Sequence, residues 1–430
     1  MKITIRHHVS FSLILVVFFV AFSQESSALP RYALRHAEVN CMGCHVNPTG
    51  QGLRSAGGQS FEINKLPMWK TAGKFTSQLT EGIRIGLDYR SQALLFQDKT
   101  STPDSTGGLL TNTRTLKTLQ AMALPVYVAA QLTQSTSFYA RYDFFTPSAY
   151  EAFGQVHFVH NSGEIFLAND AFTDAYLKIG DFMPNFGVRF DDHTAYTRGG
   201  DGTLSRFGQD GLFWKPSYKD LGAELGVTLF DHVQITAGYF EGLEYRQGAT
   251  FDGDTTNRMA MAFRGVYATE LVPDMVSIEV GGSYYLHPHS LVSSTGADST
   301  RNLSVAAVHG GLRVGPISIL AEADFGKNIP TQVLQTLPKV SALAIEATGD
   351  ITEGLTALVR FETYKDEDGT GNIGTEVKDR ITGGLQWFPI RFVEFRPEIR
   401  FAKLSVPTGV VTLREDHSQM TMLLQTHIFF

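Results

Sequence analysis

The densest chemistry in this chain is Cys41-Met42-Gly43-Cys44-His45, and Cys41 and Cys44 are the only cysteines among its 430 residues. Two thiols at this spacing can each form a thioether to a vinyl group of haem, while the imidazole that follows ligates the iron from one face. The pentad predicts a single covalent c-type haem, with Cys41 and Cys44 as attachment points and His45 as proximal ligand. Structural zinc needs about four ligands, and no second Cys/His pair at suitable spacing is present. A thioredoxin-like pair would open a helix inside a βαβ pattern, which the flanking sequence does not show. The bland alternative is a chance or disulfide-forming pair.

Val46 to Arg54 is rich in turn formers, with Asn47-Pro48 and glycines at 50 and 52. Such a run suits a tight bend that lets backbone lie close to a flat ligand, with Arg54 facing a haem propionate. It suits equally a flexible linker continuing through Pro67. The iron's second axial ligand has several candidates. His36 lies five residues before Cys41 and is close for the opposite face, and Met42 inside the pentad cannot reach it. Met68 lies beyond the bend, and His193 sits among charges in Arg189 to Thr194. Each could equally be a packed or solvated side chain, and water, or no ligand, remains open.

Haem of this kind is attached after export, and the chain starts with an export signature. Lys2 and Arg6 precede an apolar run from Val9 to Phe22, and Ser26-Ser27-Ala28 offers small residues for cleavage. The run is too short for a membrane anchor. A mature chain from Leu29 loses Lys2, Arg6 and Glu25, moving the formal net charge from −7 to −8, which argues against a nucleic-acid partner. Charged residues are 18% of the chain, below the soluble average of about 25%, yet no second long apolar run exists. A helical membrane protein is excluded.

From about residue 80 onward, runs of roughly ten residues alternate apolar with polar and end in turns. In Val393 to Phe401 the odd positions are mostly apolar and every even one is charged. Ile83, Ile85, Leu87 and Tyr89 alternate with Arg84, Gly86, Asp88 and Arg90, and Val276 to Tyr285 behaves alike. Period two sends those sets to opposite faces of a strand. A soluble sandwich alternates too, so the connections decide. Short turns near 230–232, 270–274, 315–316, 349–353 and 389–390 alternate strictly with long polar stretches at 241–257, 287–301, 328–338, 366–377 and 405–416. That is the wiring of an outer-membrane antiparallel β-barrel, tight turns in the periplasm and longer loops outside. The last strand, His417 to Phe430, carries Met422, Leu424, Thr426, Ile428 and Phe430 on one face. The expectation is an all-β barrel of about 16 strands, with Thr146 to Ser217 its least regular part, since Glu151 to Asp170 and Asp191 to Gly208 read partly as loops.

The division expected is a signal peptide at 1–28, a haem-binding segment at 29–75 and a barrel at 76–430. A segment this small has too little core to shelter haem alone. It should lie in or against the barrel lumen and borrow its walls.

Taken together, an export signal, one C-x-x-C-H near the mature start and a barrel ending in Phe430 resemble the fused monohaem cytochrome–porins of iron-oxidising bacteria. The stretch Asp174 to Gly187 is also similar to phosphate-selective-type porins. The first resemblance implies a Gram-negative outer-membrane protein, with lipid as one partner, that takes an electron from extracellular Fe(II) and passes it to a periplasmic cytochrome. Transfer of one electron needs no acid, base or nucleophile, only a well-placed cofactor. Asp252, Asp254 and the run Asp366-Glu367-Asp368-Gly369 could gather cations at the mouth, or serve solubility alone. Arg84, Arg90, Arg264, Arg360, Arg396 and Arg400 interleave with Asp88, Glu279, Glu322, Asp324, Glu362, Glu394 and Glu398, so a lumen lined by both predicts no clear ion selectivity. The alternatives are a haem-plugged porin for small solutes, and an accessory barrel relaying electrons to a separate multihaem cytochrome.

Overall fold

Alternation along each strand is realised with inverted polarity. Glu394, Arg396, Glu398 and Arg400 are buried, whereas Phe401 beside them is exposed. Ile235, Val280, Val308, Phe325 and Val359 are each more than half exposed. Polar groups inside and apolar groups outside suit a sheet that closes on itself in lipid, where every backbone group must find a partner and no edge is tolerated.

The computed structural model describes residues 30–50, 52–70, 76–103, 108–145, 150–159, 172–188, 195–197, 219–242, 259–292, 298–330, 336–367, 373–407 and 414–430. The export signature, His193 and Asp252 to Asp254 lie outside the described residues. The first strands are β1 (Gln78–Thr80), β2 (Ile83–Pro103), β3 (Leu109–Ala123), β4 (Pro125–Gln131), β5 (Thr136–Asp143) and β6 (Glu151–Val159). Next come β7 (Phe172–Phe182), β8 (Asp220–Leu229), β9 (Val233–Phe240), β10 (Ala260–Val272), β11 (Val276–Val292) and β12 (Asp298–Val314). The last are β13 (Ile317–Pro330), β14 (Thr336–Thr352), β15 (Leu355–Glu367), β16 (Ile373–Trp387), β17 (Val393–Pro407) and β18 (Arg414–Phe429).

Apart from β3 and β4, consecutive strands pair antiparallel, and β18 returns to β2 from Asp416 opposite Ser101 to Phe429 opposite Asp88. β3 and β4 both pair with β2 and form one strand interrupted at Leu124-Pro125. Proline has no N–H for the ladder, and the Asp143 carboxylate takes up the Leu124 N–H at 3.0 Å instead. Since β1 is only a short flap on β2, the barrel has 16 strands, the number expected. Its outward apolar belt marks it as an outer-membrane barrel.

Two readings of the sequence need correction. The described residues of 287–301, 328–338, 366–377 and 405–416 are strand, because β11 to β18 extend into these stretches from both sides; the middle of each lies outside the described residues. Backbone ladders persist beyond the apolar belt, where both faces meet water and alternation fades. Glu151 to Val159, read partly as loop, is β6; its outward positions include Ala152 and Gly154, which give no apolar signal. The proposed linker through Pro67 is also partly helical, as described next.

The N-terminal segment lies inside the barrel. Helix α1 (Pro30–Arg35) rests on β11, β12 and β13. Arg313 Nη1 donates to the Arg35 carbonyl at 2.8 Å, Ser277 Oγ donates to the Leu34 carbonyl, and Arg35 pairs with Asp350 at 2.5 Å. The chain then passes β10, where Ala37 and Val39 pack on Val266 and Ala268. It meets β7 through Asn40 and Asp174, β6 through Gln155 and the Val46 carbonyl, and β4 and β5 through Leu53 with Tyr127 and Tyr139. Arg54 covers Phe429 of β18, and Met68 N–H donates to the Phe388 carbonyl at 2.8 Å, just beyond β16. Arg31 at the start also contacts Gln386 of β16, so the segment makes a full circuit of the inner wall.

The connection after β7 enters the lumen from the other side. Its backbone N–H groups donate to wall carboxylates: Met183 to Glu151 at 3.1 Å, Asn185 to Glu224 at 3.3 Å, Val188 to Glu322 at 3.1 Å and Tyr196 to Glu362 at 3.1 Å. Val188 shares an apolar cluster with Leu34 of α1, so the two inward segments meet.

Candidate haem site in the lumen

Cys41 to Gly43 form one 3-10 turn, capped by Asn40, whose side-chain oxygen accepts the Met42 N–H at 3.0 Å. His45 N–H donates to the Cys41 carbonyl at 2.9 Å, and Cys41, Cys44 and His45 are all half-buried. Both thiols and the imidazole therefore project from a single tight turn whose backbone is fixed.

Two elements clamp that turn. Helix α2 (Ala56–Asn64) starts against it: Ser55 caps the helix at Gly58 N–H, donates Oγ to the Gly43 carbonyl at 2.8 Å and donates N–H to the Cys44 carbonyl at 3.0 Å. A methyl at Gly58 would overlap the Cys44 carbonyl, so glycine permits this approach. The bend at Asn47 to Gly50 forms the other side. Asn47 Oδ1 accepts from Thr49 Oγ1 at 3.0 Å, Gly50 takes φ +80°, and a methyl there would meet Cys41 Sγ at 3.2 Å. Val46 to Arg54 is thus an ordered bend lying on Cys41.

The wall holds both. Asn40 Nδ2 donates to Asp174 Oδ2 at 2.8 Å, and the other oxygen, Oδ1, accepts from His157 Nδ1 at 3.0 Å. Lys178, fully buried, pairs with Glu224 at 3.0 Å, reaches Thr49 Oγ1 at 3.3 Å and stands 4.1 Å from the centre of the Phe182 ring. Tyr127, Tyr139, Phe153, Phe182 and Phe240 form a run of touching aromatic rings round this wall. Charged Lys178 and Arg141 lie over these rings, so the wall here mixes aromatic faces with paired charges.

This donor set fits a c-type haem. The two cysteines and the histidine stand in the required order on one exposed-edged turn, and beside Gly43 a methyl would meet nothing within 4 Å, so the turn borders open space. Arg54 is engaged otherwise than the sequence suggests: its Nε lies 3.3 Å from Glu62 Oε2 and its guanidinium 4.5 Å from the Phe429 ring centre. Burial pushes the Glu62 carboxyl up to about 7, with Arg54 and His427 pulling the other way. Of the axial candidates, His36 follows α1, on the β11–β13 side. Met68 lies by Phe388 and Gly354, across the lumen from β7. Asp174, His157 and Lys178 were missed as site residues; their inward parity on β6 and β7 was the available signal.

Several lumen charges among the described residues pair with one another. Arg360 reaches Glu346 and Glu362 at 3.3 and 3.2 Å, Arg380 reaches Glu362 at 2.6 Å, and Arg400 reaches Glu398 at 2.6 Å. Buried ions demand this, since an uncompensated one costs several kcal/mol.

Fold and site together define an outer-membrane β-barrel of porin type with an inward N-terminal segment. No family model matches the chain, and no curated protein matches it in sequence. Among solved structures it is similar to OprB of Pseudomonas putida, at 10% identity over 86% of this chain and 100% of that one, with a TM-score of 0.50. The channel DcaP of Acinetobacter baumannii covers 83% of this chain and all of its own at 11% identity, with a TM-score of 0.45. The anion-selective porin from Comamonas acidovorans covers 80% and 100% at 10% identity, with a TM-score of 0.42. The likeness to OprB concerns the barrel fold.

Proposed function

We propose that this chain conducts electrons across the outer membrane through one haem, bound covalently by Cys41 and Cys44 with His45 as proximal ligand. The observation that carries the reading is the placement of a C-x-x-C-H turn inside a membrane barrel, clamped by α2, by the Asn47 to Gly50 bend and by β6 and β7. When bound, haem supplies a one-electron couple: its Fe(III) takes one electron to become Fe(II) as a donor Fe(II) becomes Fe(III). The protein's part is to hold, orient and shelter. Thioether and imidazole donors fix position, aromatic walls exclude water, and paired wall charges leave little stray field.

Asp174 lies opposite Thr228, near the short turn at 230–232, so the turn sits toward the periplasmic rim. From Asp174 to Phe182 the wall climbs by roughly 20 Å toward the outer mouth. A periplasmic electron carrier can dock near the haem, whereas extracellular Fe(II) has to enter the mouth. Capture of iron by Asp366 and Glu367 has little support, as Asp366 accepts from Thr375 N–H and Tyr364 Oη and Glu367 pairs with Lys339.

The alternative is a porin for small solutes whose N-terminal segment gates the pore, favoured by the likeness of the barrel to OprB. Two measurements on the purified protein separate the readings. Peroxidase staining after denaturing electrophoresis should show covalent haem that Cys41→Ala with Cys44→Ala abolishes, and planar bilayers should show no open-pore conductance. Large stable conductance in a haem-free protein would support the porin and overturn the conduit.

A further inference from the structure

Joined to the residue before the pentad through one shared carboxylate, Asp174, is a wall histidine that the proximal site does not use. His157, on the inward face of β6 and buried, gives Nδ1 to Asp174 Oδ1 at 3.0 Å, while Asp174 Oδ2 accepts from Asn40, the residue immediately before Cys41. A carboxylate only accepts, so Nδ1 carries the proton and the ring lone pair resides on Nε2. An imidazole held this way by a carboxylate has its tautomer and its ring plane fixed for ligation. The His157 ring lies 5.9 Å from that of Tyr176, which tethers its hydroxyl to Glu224 at 3.1 Å. Both contacts limit rotation.

Three other described histidines have partners elsewhere on the wall. His427 binds Glu394 and Asp88 at the β18 seam, His417 binds Asp98, and His309 stands 3.9 Å from Glu279 on the β11–β12 wall. Only His157, among these, shares a partner with the residue that leads into the pentad.

We propose that His157 supplies the second axial ligand of the haem iron, opposite His45, and that Asp174 is its positioning residue. The inference rests on the haem reading above. It makes the site a bis-histidine centre, closed to small ligands at iron, which suits electron transfer rather than binding of oxygen. Asp174 then has two duties, anchoring the attachment turn through Asn40 and raising the basicity of the ligand.

The test is optical and magnetic, on the full-length protein in detergent. Wild type should be low-spin and slow to bind carbon monoxide when reduced. His157→Gly should become high-spin, bind carbon monoxide, and return to low-spin with added imidazole, while retaining stained covalent haem. Asp174→Asn should stay low-spin with a raised midpoint potential. Met183→Leu, in the inward connection, should leave the spectrum unchanged. A low-spin spectrum that survives His157→Gly, or a high-spin wild type, overturns the assignment; so does loss of the low-spin form in Met183→Leu. Absence of covalent haem from the wild type would instead overturn the haem reading itself. Should His157→Gly fail to assemble, His157→Met serves: a low-spin methionine spectrum supports the ligand, and an unchanged histidine spectrum refutes it.

Discussion

Glu62 is a buried carboxyl poised between Arg54, Phe429 and the β18 seam, and its behaviour should be measurable. Its pKa rises from 4.5 to about 7, chiefly through burial. A carboxyl with a folded pKa above the unfolded one holds an extra proton when folded, so stability falls as pH rises. The protonated form's contribution is complete below pH 4.5 and is lost progressively up to about 7. Stability of the N-terminal segment against thermal unfolding should therefore fall over that window by at most about 3 kcal/mol, and Glu62→Gln should flatten the slope. At this scale the pentad was fully legible in the sequence, because c-type attachment depends on adjacency along the chain. Partners distant in sequence were not. Asp174 and His157 face Asn40 across more than a hundred residues, and Arg54, read as a propionate partner, is turned toward Glu62 by a helix the sequence reading did not predict.

Among elements, the decisive piece is the seam where the Asn47 to Gly50 bend meets β7 and β8. Lys178 is its pivot, joining Thr49 to Glu224. Replacing it with methionine leaves Glu224 buried without that cation and should destabilise the protein by about 3–5 kcal/mol. Adding Glu224→Gln should recover much of the loss, read by unfolding temperature in a double-mutant cycle. Strands β10 to β18 were readable because outward apolar and inward polar residues alternate cleanly, as in Val393 to Phe401. Helix α2 was not, since Gly57 and Gly58 carry low helix propensity and are present for close approach to the Gly43 and Cys44 carbonyls. β6 was missed for a similar reason: small outward residues erase the pattern.

For the whole molecule, the count of strands followed from alternation together with turn rhythm, and the lumenal place of the N-terminal segment from its small size, whereas the entry of the connection after β7 into the lumen did not follow from any local pattern. Two segments enter from opposite mouths and meet at Leu34 and Val188. Deleting residues 30–70 should therefore leave a barrel that still assembles, judged by heat-modifiable migration, and that now passes ions in planar bilayers. A deletion variant that remains closed would place the seal in the connection after β7.

The central claim, electron conduction through a sheltered haem, is tested by liposomes that carry the protein in outward orientation and enclose an oxidised soluble cytochrome. Fe(II) is added outside, and the trapped cytochrome's absorbance is followed together with leakage of an enclosed dye. The account predicts reduction of the enclosed cytochrome without dye leakage, abolished by Cys41→Ala with Cys44→Ala. Dye escape at the same rate with and without the two cysteines, and no protein-dependent reduction, would contradict it.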